Sequence, residues 1–229
     1  MKEAEEVLAG TPALEKVLHL DQFFCGLHSI VHMTENVVAA QREWEKLHFE
    51  SGSAPVLNPA CARAGESGGS RFIQDVCKAF CRGGDERNGC FTAFSTYTRP
   101  ILREEFKMTK NPFSKFIGAR YVLGRNATYA YDLRHVIKEF LKARDSKNQL
   151  LRSLLHDVDE KAIMAEVRVC GDVSEFLLLP LCRALEDKSL TIAHMIGIYR
   201  KLIDFLEAAA KDPTSILEGQ SPFDEIYLH

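Results

Sequence analysis

The stretch QFFCGLHSIVHMTENVVAAQREWEKLH, residues 22–48, decides the fold class of this chain. Its apolar side chains recur at intervals of three and four residues, which place them along one face of an α-helix. The residues that set this spacing are Phe23, Leu27, Ile30, Val31, Val38 and Trp44. A run of this length with one apolar face predicts a long helix packed against the rest of the protein.

The same helical spacing continues through most of the 229 residues. Further helices are predicted over residues 72–82, 90–98, 101–108, 131–143, 150–158, 161–179 and 189–211. Pro100 and Pro180 are expected to break or kink the chain, because proline lacks an N–H and clashes with the preceding helical turn. Residues 115–129, KFIGARYVLGRNATY, are compatible instead with a short strand or an irregular turn. The expected fold is all-α, an irregular multi-helix bundle.

A single helical domain is predicted over residues 1–229, because no repeat of fixed period divides the chain. Residues 50–70, ESGSAPVLNPACARAGESGGS, are rich in Gly, Ser, Ala and Pro, so we predict a flexible loop there. The tail from about residue 219 is expected to be frayed, as chain ends commonly are.

Charge and composition favour an intracellular protein without a strongly basic surface. The net charge is −3, with 29 basic and 32 acidic side chains, whereas nucleic-acid-binding domains normally carry a basic excess. No apolar run has the length of a bilayer span, and the acidic N-terminus does not resemble a secretion signal. Seven cysteines, an odd number, are typical of reduced thiols in such a chain. We therefore expect a nuclear or cytoplasmic protein with no membrane contact.

Cys25, His28 and His32 form the sharpest chemical pattern, because they lie at positions i, i+3 and i+7 of the first predicted helix. One thiolate and two imidazoles could supply three ligands to zinc. A cysteine nucleophile with a histidine base is a second interpretation. Against both, apolar residues interleave the row, and a buried cysteine also behaves as a small hydrophobe. We predict that these side chains pack and bind no metal, with zinc as the alternative.

Arg120, Arg125 and Arg134 lie among tyrosines and make the best basic and aromatic cluster of the chain. Arginine binds phosphate and tyrosine stacks on bases, so this cluster is a candidate contact surface for nucleic acid. On helical bundles the same residue types also form hydrogen-bonded corners, and both interpretations stay open at this point.

Five motifs, taken in their order along the chain, resemble a known family. They are FFCGLHSIVHMTE (23–35), GDERNGC (84–90), NPFSKFIGAR (111–120), YAYDLRHVIKEFL (129–141) and PLCRALEDK (180–188). The Cys-x2-His signature in the first motif is similar to that of hAT-like DDE transposases, which have an RNase H-like core. The whole series resembles the C-terminal, mostly helical part of these enzymes and a group of transposon-derived animal proteins.

In such transposases two aspartates and a glutamate hold two divalent cations that activate water and then a DNA 3′-hydroxyl. The resemblance places the aspartate-bearing strands before the Cys-x2-His helix, where few residues precede Cys25, and it assigns Glu186 as the third acid. One carboxylate cannot hold two hard cations. We therefore expect a non-catalytic helical remnant of an RNase H-like core, without a cofactor.

Such a remnant is expected to act through a DNA or protein partner. Self-association into a homo-oligomer is also predicted, because removal of the sheet would expose apolar surface. The alternative is a metal-dependent enzyme. It would be either a residual nuclease that uses magnesium or a zinc hydrolase built on Cys25, His28 and His32.

Overall fold

The computed structural model describes residues 26–57, 65–85, 87–113 and 121–223. Within these ranges the chain forms helices and no strand, which confirms the predicted all-α, multi-helix fold. Cys25 and Arg120 lie outside the described residues, as does the end of the tail, residues 224–229.

Ten α-helices and one π-helical turn follow each other in the described ranges. They are α1 (Gly26–His48), α2 (Gly68–Phe80), α3 (Phe91–Glu104), α4 (Tyr121–Asp132), α5 (Arg134–Arg144), α6 (Gln149–Asp157), α7 (Lys161–Val173), the π-helical turn (Ser174–Leu178), α8 (Leu179–Glu186), α9 (Ile192–Ala209) and α10 (Thr214–Leu217).

Helix α2 lies at the centre of the larger of two hydrophobic clusters. Phe72, Ile73 and Val76 on this helix are fully buried. The ring of Phe80 stacks on that of Phe94 in α3, with the ring centroids 4.1 Å apart. The ring of Phe140 in α5 meets the Phe80 ring edge-on at 5.9 Å. Burial of these aromatic rings makes a large contribution to the stability of the core.

The second hydrophobic cluster joins the first part of α1 to the C-terminal helices. Its buried members are Ile30, Leu177, Leu178, Leu181, Ala184, Ile198, Leu202 and Phe223. Further along α1, Val37 and Val38 pack against the first cluster instead. Helix α1 therefore contacts both clusters, as expected for a long helix with an apolar face.

Helix α4 corrects the prediction of a strand or irregular turn over residues 115–129, of which the structure describes 121–129. Ala127 and Ala130 are fully buried. A Cβ atom on Gly171 of α7 would lie only 3.2 Å from the Thr128 Cα atom, so the two helix backbones approach closely. This packing of small residues stabilises a helix that its glycine and aromatic residues do not indicate locally.

Both prolines lie within helical structure, for different physical reasons. Pro100 is an exposed residue of α3, where water can bind the carbonyl group that proline leaves without a donor. Pro180 follows the π-helical turn, and in a regular helix its missing N–H would have bound the carbonyl of Phe176. That carbonyl instead accepts a hydrogen bond from the Ser221 hydroxyl at 2.7 Å.

Two predicted segment boundaries also change. The predicted loop over residues 50–70 ends early, because Ser67 caps α2 and Gly68–Ser70 form its buried first turn. The tail predicted to fray from residue 219 is ordered through Phe223, whose side chain is buried in the second cluster. A membrane span requires a longer and more apolar helix than any that the described ranges contain.

Candidate functional site: a buried carboxyl pair at the start of α2

The start of helix α2 lies against α1 and α7, and its sequence permits a very close approach. The Ser67 hydroxyl accepts a hydrogen bond from the Ser70 N–H at 3.1 Å and donates one to the Gln41 side chain at 2.7 Å. Gly68 and Gly69 follow, and neither has room for a Cβ atom. The two glycines therefore let side chains of the neighbouring helices reach the first N–H groups of α2.

Two buried carboxyl groups accept hydrogen bonds from these N–H groups. Glu45 of α1 accepts hydrogen bonds from the Gly68 N–H at 2.6 Å and from the Ala54 N–H at 3.2 Å. Glu166 of α7 accepts one from the Gly69 N–H at 2.6 Å. Glu45 is 3% exposed and Glu166 is 4% exposed. Because the first N–H groups of a helix carry partial positive charge, they stabilise a negative charge at this position.

The Glu166 carboxyl has a pKa far from its ordinary value, and the neighbouring Glu45 carboxyl is one of the causes. Burial raises the pKa of Glu166 to about 8, and the neighbouring charge of Glu45 acts in the same direction. The Gly69 N–H and the Arg71 guanidinium lower it, but by less in sum. Glu166 Oε1 is buried and has no hydrogen-bond partner among the described residues. At neutral pH Glu166 is therefore mostly protonated.

A buried ion pair holds the other side of the same helix turn. The Arg71 guanidinium lies 3.2 Å from Asp157 of α6 and donates a hydrogen bond to the Pro55 carbonyl at 2.8 Å. The second Asp157 oxygen lies 3.0 Å from the His156 ring. Side chains of α1, α6 and α7 are thus all bound to the first residues of α2.

Glu45, one member of the carboxyl pair, borders a cavity of about 300 Å³. Its polar lining is contributed by Arg42, Glu45, Lys46, Glu66 and Arg71. A carboxyl group that is kept neutral near pH 7, as Glu166 is, can act as a general acid, so the start of α2 has the chemistry of an acid–base site. Glu45 reaches this cavity, whereas Glu166 is not part of its lining.

The Cys25, His28 and His32 row is only partly described. His28 falls within α1, and His32 is an exposed residue whose ring lies 3.1 Å from the Glu35 carboxylate. In the parts of the chain that the structure describes, no three or more His, Cys, Asp or Glu side chains are grouped to hold a metal ion. The zinc alternative therefore gains no support from the described residues.

Glu186 is the last residue of α8 and is exposed. The nearby Cys182 has a raised pKa, which burial causes and the Glu186 charge increases. The resemblance assigned Glu186 as a catalytic acid, and this assignment stays a prediction.

The predicted arginine cluster is divided between two environments. Arg125 is exposed on α4. Arg134 donates a hydrogen bond to the Tyr131 carbonyl at 2.7 Å, and its guanidinium lies 4.1 Å above the Tyr131 ring. Arg134 thus forms a hydrogen-bonded corner. Asp132 and Asp172 line the groove beside the same tyrosine, and burial raises the pKa of each.

Glu45 and Glu166 are not among the residues predicted from sequence, although a signal for them exists. Glu45 follows Gln41 by four residues on the face of α1 that carries Ile30. Glu166 lies between Ile163 and Val167 on the apolar face of α7. A polar residue that continues an apolar stripe is a candidate for a buried and partnered group.

Comparison with known proteins identifies no relative of this chain. None of the family models, curated proteins or solved structures gives a significant match. The resemblance to hAT-like transposases therefore remains a hypothesis that is based on the five sequence motifs.

Proposed function

We propose that this chain is a non-catalytic helical module, related to the helical part of hAT-like transposases, that works by contact with another macromolecule. The observation that carries the proposal is the exposure of two isoleucines on the outer side of α9, the side away from the protein core. Ile196 and Ile203 are 52% and 54% exposed, although most residues of this size and polarity are buried. They are seven residues apart, so they lie two turns apart on one face of the helix.

The rest of α9 explains why this exposure is informative. Ile198 and Leu202 on its inner face are buried in the second hydrophobic cluster, so the helix is already anchored to the protein. Ile196 and Ile203 are not part of that cluster. Exposed apolar side chains in a row on an anchored helix are typical of a surface that binds a partner.

The carboxyl pair supports the non-catalytic part of the proposal. Burial raises the pKa of Glu166, and the oxygens of Glu45 and Glu166 bind the first N–H groups of α2. Their hydrogen bonds link α1, α2 and α7, which accounts for both acids without a substrate. We assign the pair a structural role.

A protein partner is favoured over DNA. Of the two arginines of the predicted cluster that the structure describes, Arg125 is exposed and Arg134 is engaged with Tyr131. The groove beside that tyrosine is lined by Arg168 and by three acidic side chains, Asp132, Asp172 and Glu175, so it offers no basic excess to a phosphate backbone. DNA contact through Arg125 is the second form of the binding proposal.

A cleavage assay tests the non-catalytic assignment. The purified chain is incubated with supercoiled plasmid DNA and either Mg²⁺ or Mn²⁺, and no cleavage is expected. The proposal fails if DNA is cut and Glu186→Gln abolishes the cut while the exposed control Glu139→Gln does not. Metal analysis of the same preparation, repeated with His28→Ala and His32→Ala, tests the zinc alternative.

An acid–base enzyme is the second candidate function, because Glu45 lines the cavity of about 300 Å³. This candidate predicts that small polar ligands protect the chain against thermal unfolding and that Glu45→Gln removes the protection. The structural assignment predicts no ligand of that kind. Arg42→Gln, which changes the cavity lining without touching the carboxyl pair, serves as the matched control.

A further inference from the structure

We propose that the cavity beside the start of α2 binds a small compound through an oxyanion group, a phosphate or a carboxylate, with Arg71 as its buried anchor. The cavity is lined by α1, by the turn that follows α1 and by the first residues of α2. Its volume of about 300 Å³ is in the range of pockets that bind small molecules. The inference goes beyond the proposed function, because the exposed isoleucines of α9 take no part in this site.

The guanidinium of Arg71 is fixed in position but is not fully used by the protein. Arg71 is 6% exposed and lines the cavity. Its Nε donates to Asp157 at 3.2 Å, and its Nη2 donates to the Pro55 carbonyl at 2.8 Å. Nη1 makes no hydrogen bond to the described residues, and it is not among their buried polar atoms that lack a partner. One nitrogen of a buried, rigidly held cation is therefore left to bind a ligand.

Two further cations stand on the α1 wall of the same cavity. Arg42 and Lys46 are four residues apart, so they lie one helical turn apart on one face. Arg42 is exposed, and it forms no hydrogen bond or ion pair with the part of the chain that the structure describes. Lys46 lies 2.6 Å from Glu43 in an exposed pair, and pairs of that kind are weak. Both side chains are thus able to turn toward an anion.

Two carboxylates of the lining, Glu45 and Glu66, oppose an anion, but each already accepts hydrogen bonds from the protein. Glu45 accepts from the N–H groups of Gly68 and Ala54, and Glu66 accepts from the Gln74 side chain. These donors reduce the negative potential that the two acids present to the cavity. Three cations against two such carboxylates leave a positive balance, which favours an anion over a cation.

The chemistry of the donors selects an oxyanion. The first N–H groups of α2 are taken by Glu45 and Glu166, so the site is built from side chains and not from the end of the helix. The planar guanidinium groups of Arg42 and Arg71 match the oxygens of a phosphate or a carboxylate, to which they donate strong charge-assisted hydrogen bonds. Because Arg42 is exposed, the affinity is expected to fall with added salt.

Thermal unfolding of the full chain in a concentration series of inorganic phosphate tests the inference, with sodium chloride of equal ionic strength as the reference. We expect the midpoint to rise along a binding curve, because a ligand of the folded chain stabilises it. Succinate replaces phosphate in a second series. A response to both probes assigns a general oxyanion site, and a response to one alone assigns that chemistry. No response to either probe would overturn the site.

Arg42→Gln should weaken phosphate binding about tenfold, because it removes one charge-assisted hydrogen bond. The matched control is Arg103→Gln on α3, where the arginine is exposed and outside the cavity lining, and it should leave the dissociation constant unchanged. Arg71→Lys keeps the charge beside Asp157 but lacks Nη1, so it should weaken binding at least as much as Arg42→Gln. Equal stabilisation by phosphate of the unaltered chain and of all variants is a general salt effect and would overturn the site.

Glu45→Gln separates this inference from the acid–base candidate. An acid–base site loses its ligand with this change. An oxyanion that Arg42 and Arg71 hold should bind at least as tightly, because one negative charge has left the lining. Isothermal titration of phosphate into the folded variant measures the dissociation constant directly, and lost binding in Glu45→Gln with full binding in Arg42→Gln would overturn the inference. None of these results depends on the DNA cleavage assay, so the two proposals fail separately.

Discussion

Polar side chains are usually exposed and apolar ones buried, and two regions of this protein depart from that pattern in opposite ways. They are the start of α2 and the side of α9 that carries Ile196 and Ile203. At the start of α2, Glu45, Glu166 and Arg71 are charged or ionisable groups inside the protein. On α9, Ile196 and Ile203 are apolar groups outside it. The first region satisfies its polar groups internally by hydrogen bonds, whereas the second leaves apolar area in water.

This contrast separates structural roles from binding roles. A buried polar group with hydrogen-bond partners stabilises one arrangement of helices, because hydrogen bonds to neighbouring groups offset the desolvation cost of burying it. An exposed apolar group gains nothing until another molecule covers it. We therefore expect changes at the start of α2 to alter the stability of the fold, and changes of Ile196 or Ile203 on α9 to alter the binding of a partner.

The largest effect is expected from Asp157→Asn. The change leaves the Arg71 guanidinium buried without its counter-charge, and breaking a buried pair in this way costs about 3–5 kcal/mol of unfolding free energy. Chemical denaturation measures the loss. The matched control is Glu139→Gln, which breaks the exposed pair of Glu139 with Lys142 and should cost less than about 0.5 kcal/mol. Similar losses for both variants would show that Arg71 is not held in the interior.

The next effect is expected from Gly69→Ala. The new Cβ atom would lie 2.6 Å from the Glu166 Cβ atom and 3.1 Å from the Val167 backbone nitrogen. Two helix backbones must then separate, and forced overpacking of this kind costs about 1–3 kcal/mol. The loss should appear as a lower denaturation midpoint with an unchanged slope. A neutral Gly69→Ala would mean that α2 and α7 are farther apart in solution.

Local periodicity predicts much of this fold, because most helices bury a continuous apolar face. The spacing in residues 22–48 predicts α1 closely, and the described part of that helix ends at His48 as expected. Helix α4 is different, since its stability depends on the close approach of Thr128 to Gly171 in α7. A contact between residues so far apart in sequence cannot be inferred from local spacing.

The candidate site shows a similar limit. The positions of Glu45 and Glu166 on apolar faces predict that each is buried. Their contact with each other is a different matter, because it depends on how α1 and α7 are placed around α2. The exposed isoleucines of α9 are also ambiguous in sequence, since they continue the apolar pattern of a helix that is buried on its other side.

A smaller effect is expected from Glu166→Gln, and it depends on pH. Glu166 has a higher pKa in the folded chain than in the unfolded chain, so the folded state holds an extra proton between about pH 4.5 and 8. The stability of the unaltered chain should therefore fall as the pH rises through this range and level off above it. Glutamine can accept from the Gly69 N–H and donate to Glu45 at any pH.

The variant should consequently flatten the pH dependence and be more stable than the unaltered chain at pH 8. Denaturation at pH 5, 6.5 and 8 measures this difference. Equal pH profiles for the two chains would show that Glu166 does not hold an extra proton in the folded chain. Glu160→Gln, outside the buried layer, is the control for a general loss of one carboxylate.

The smallest effect is expected from Gly197→Ala on α9, and its sign is opposite to that of Gly69→Ala. No atom lies within 4 Å of a Cβ placed on Gly197, and the residue is exposed inside a regular helix. Alanine restricts the unfolded chain at such a site and should raise stability by about 0.5–1 kcal/mol. The midpoint of thermal unfolding, compared between the variant and the unaltered chain, measures this gain in stability. A lower stability of the variant would mean that this side of α9 already packs against another part of the chain, so it would not be free to bind a partner.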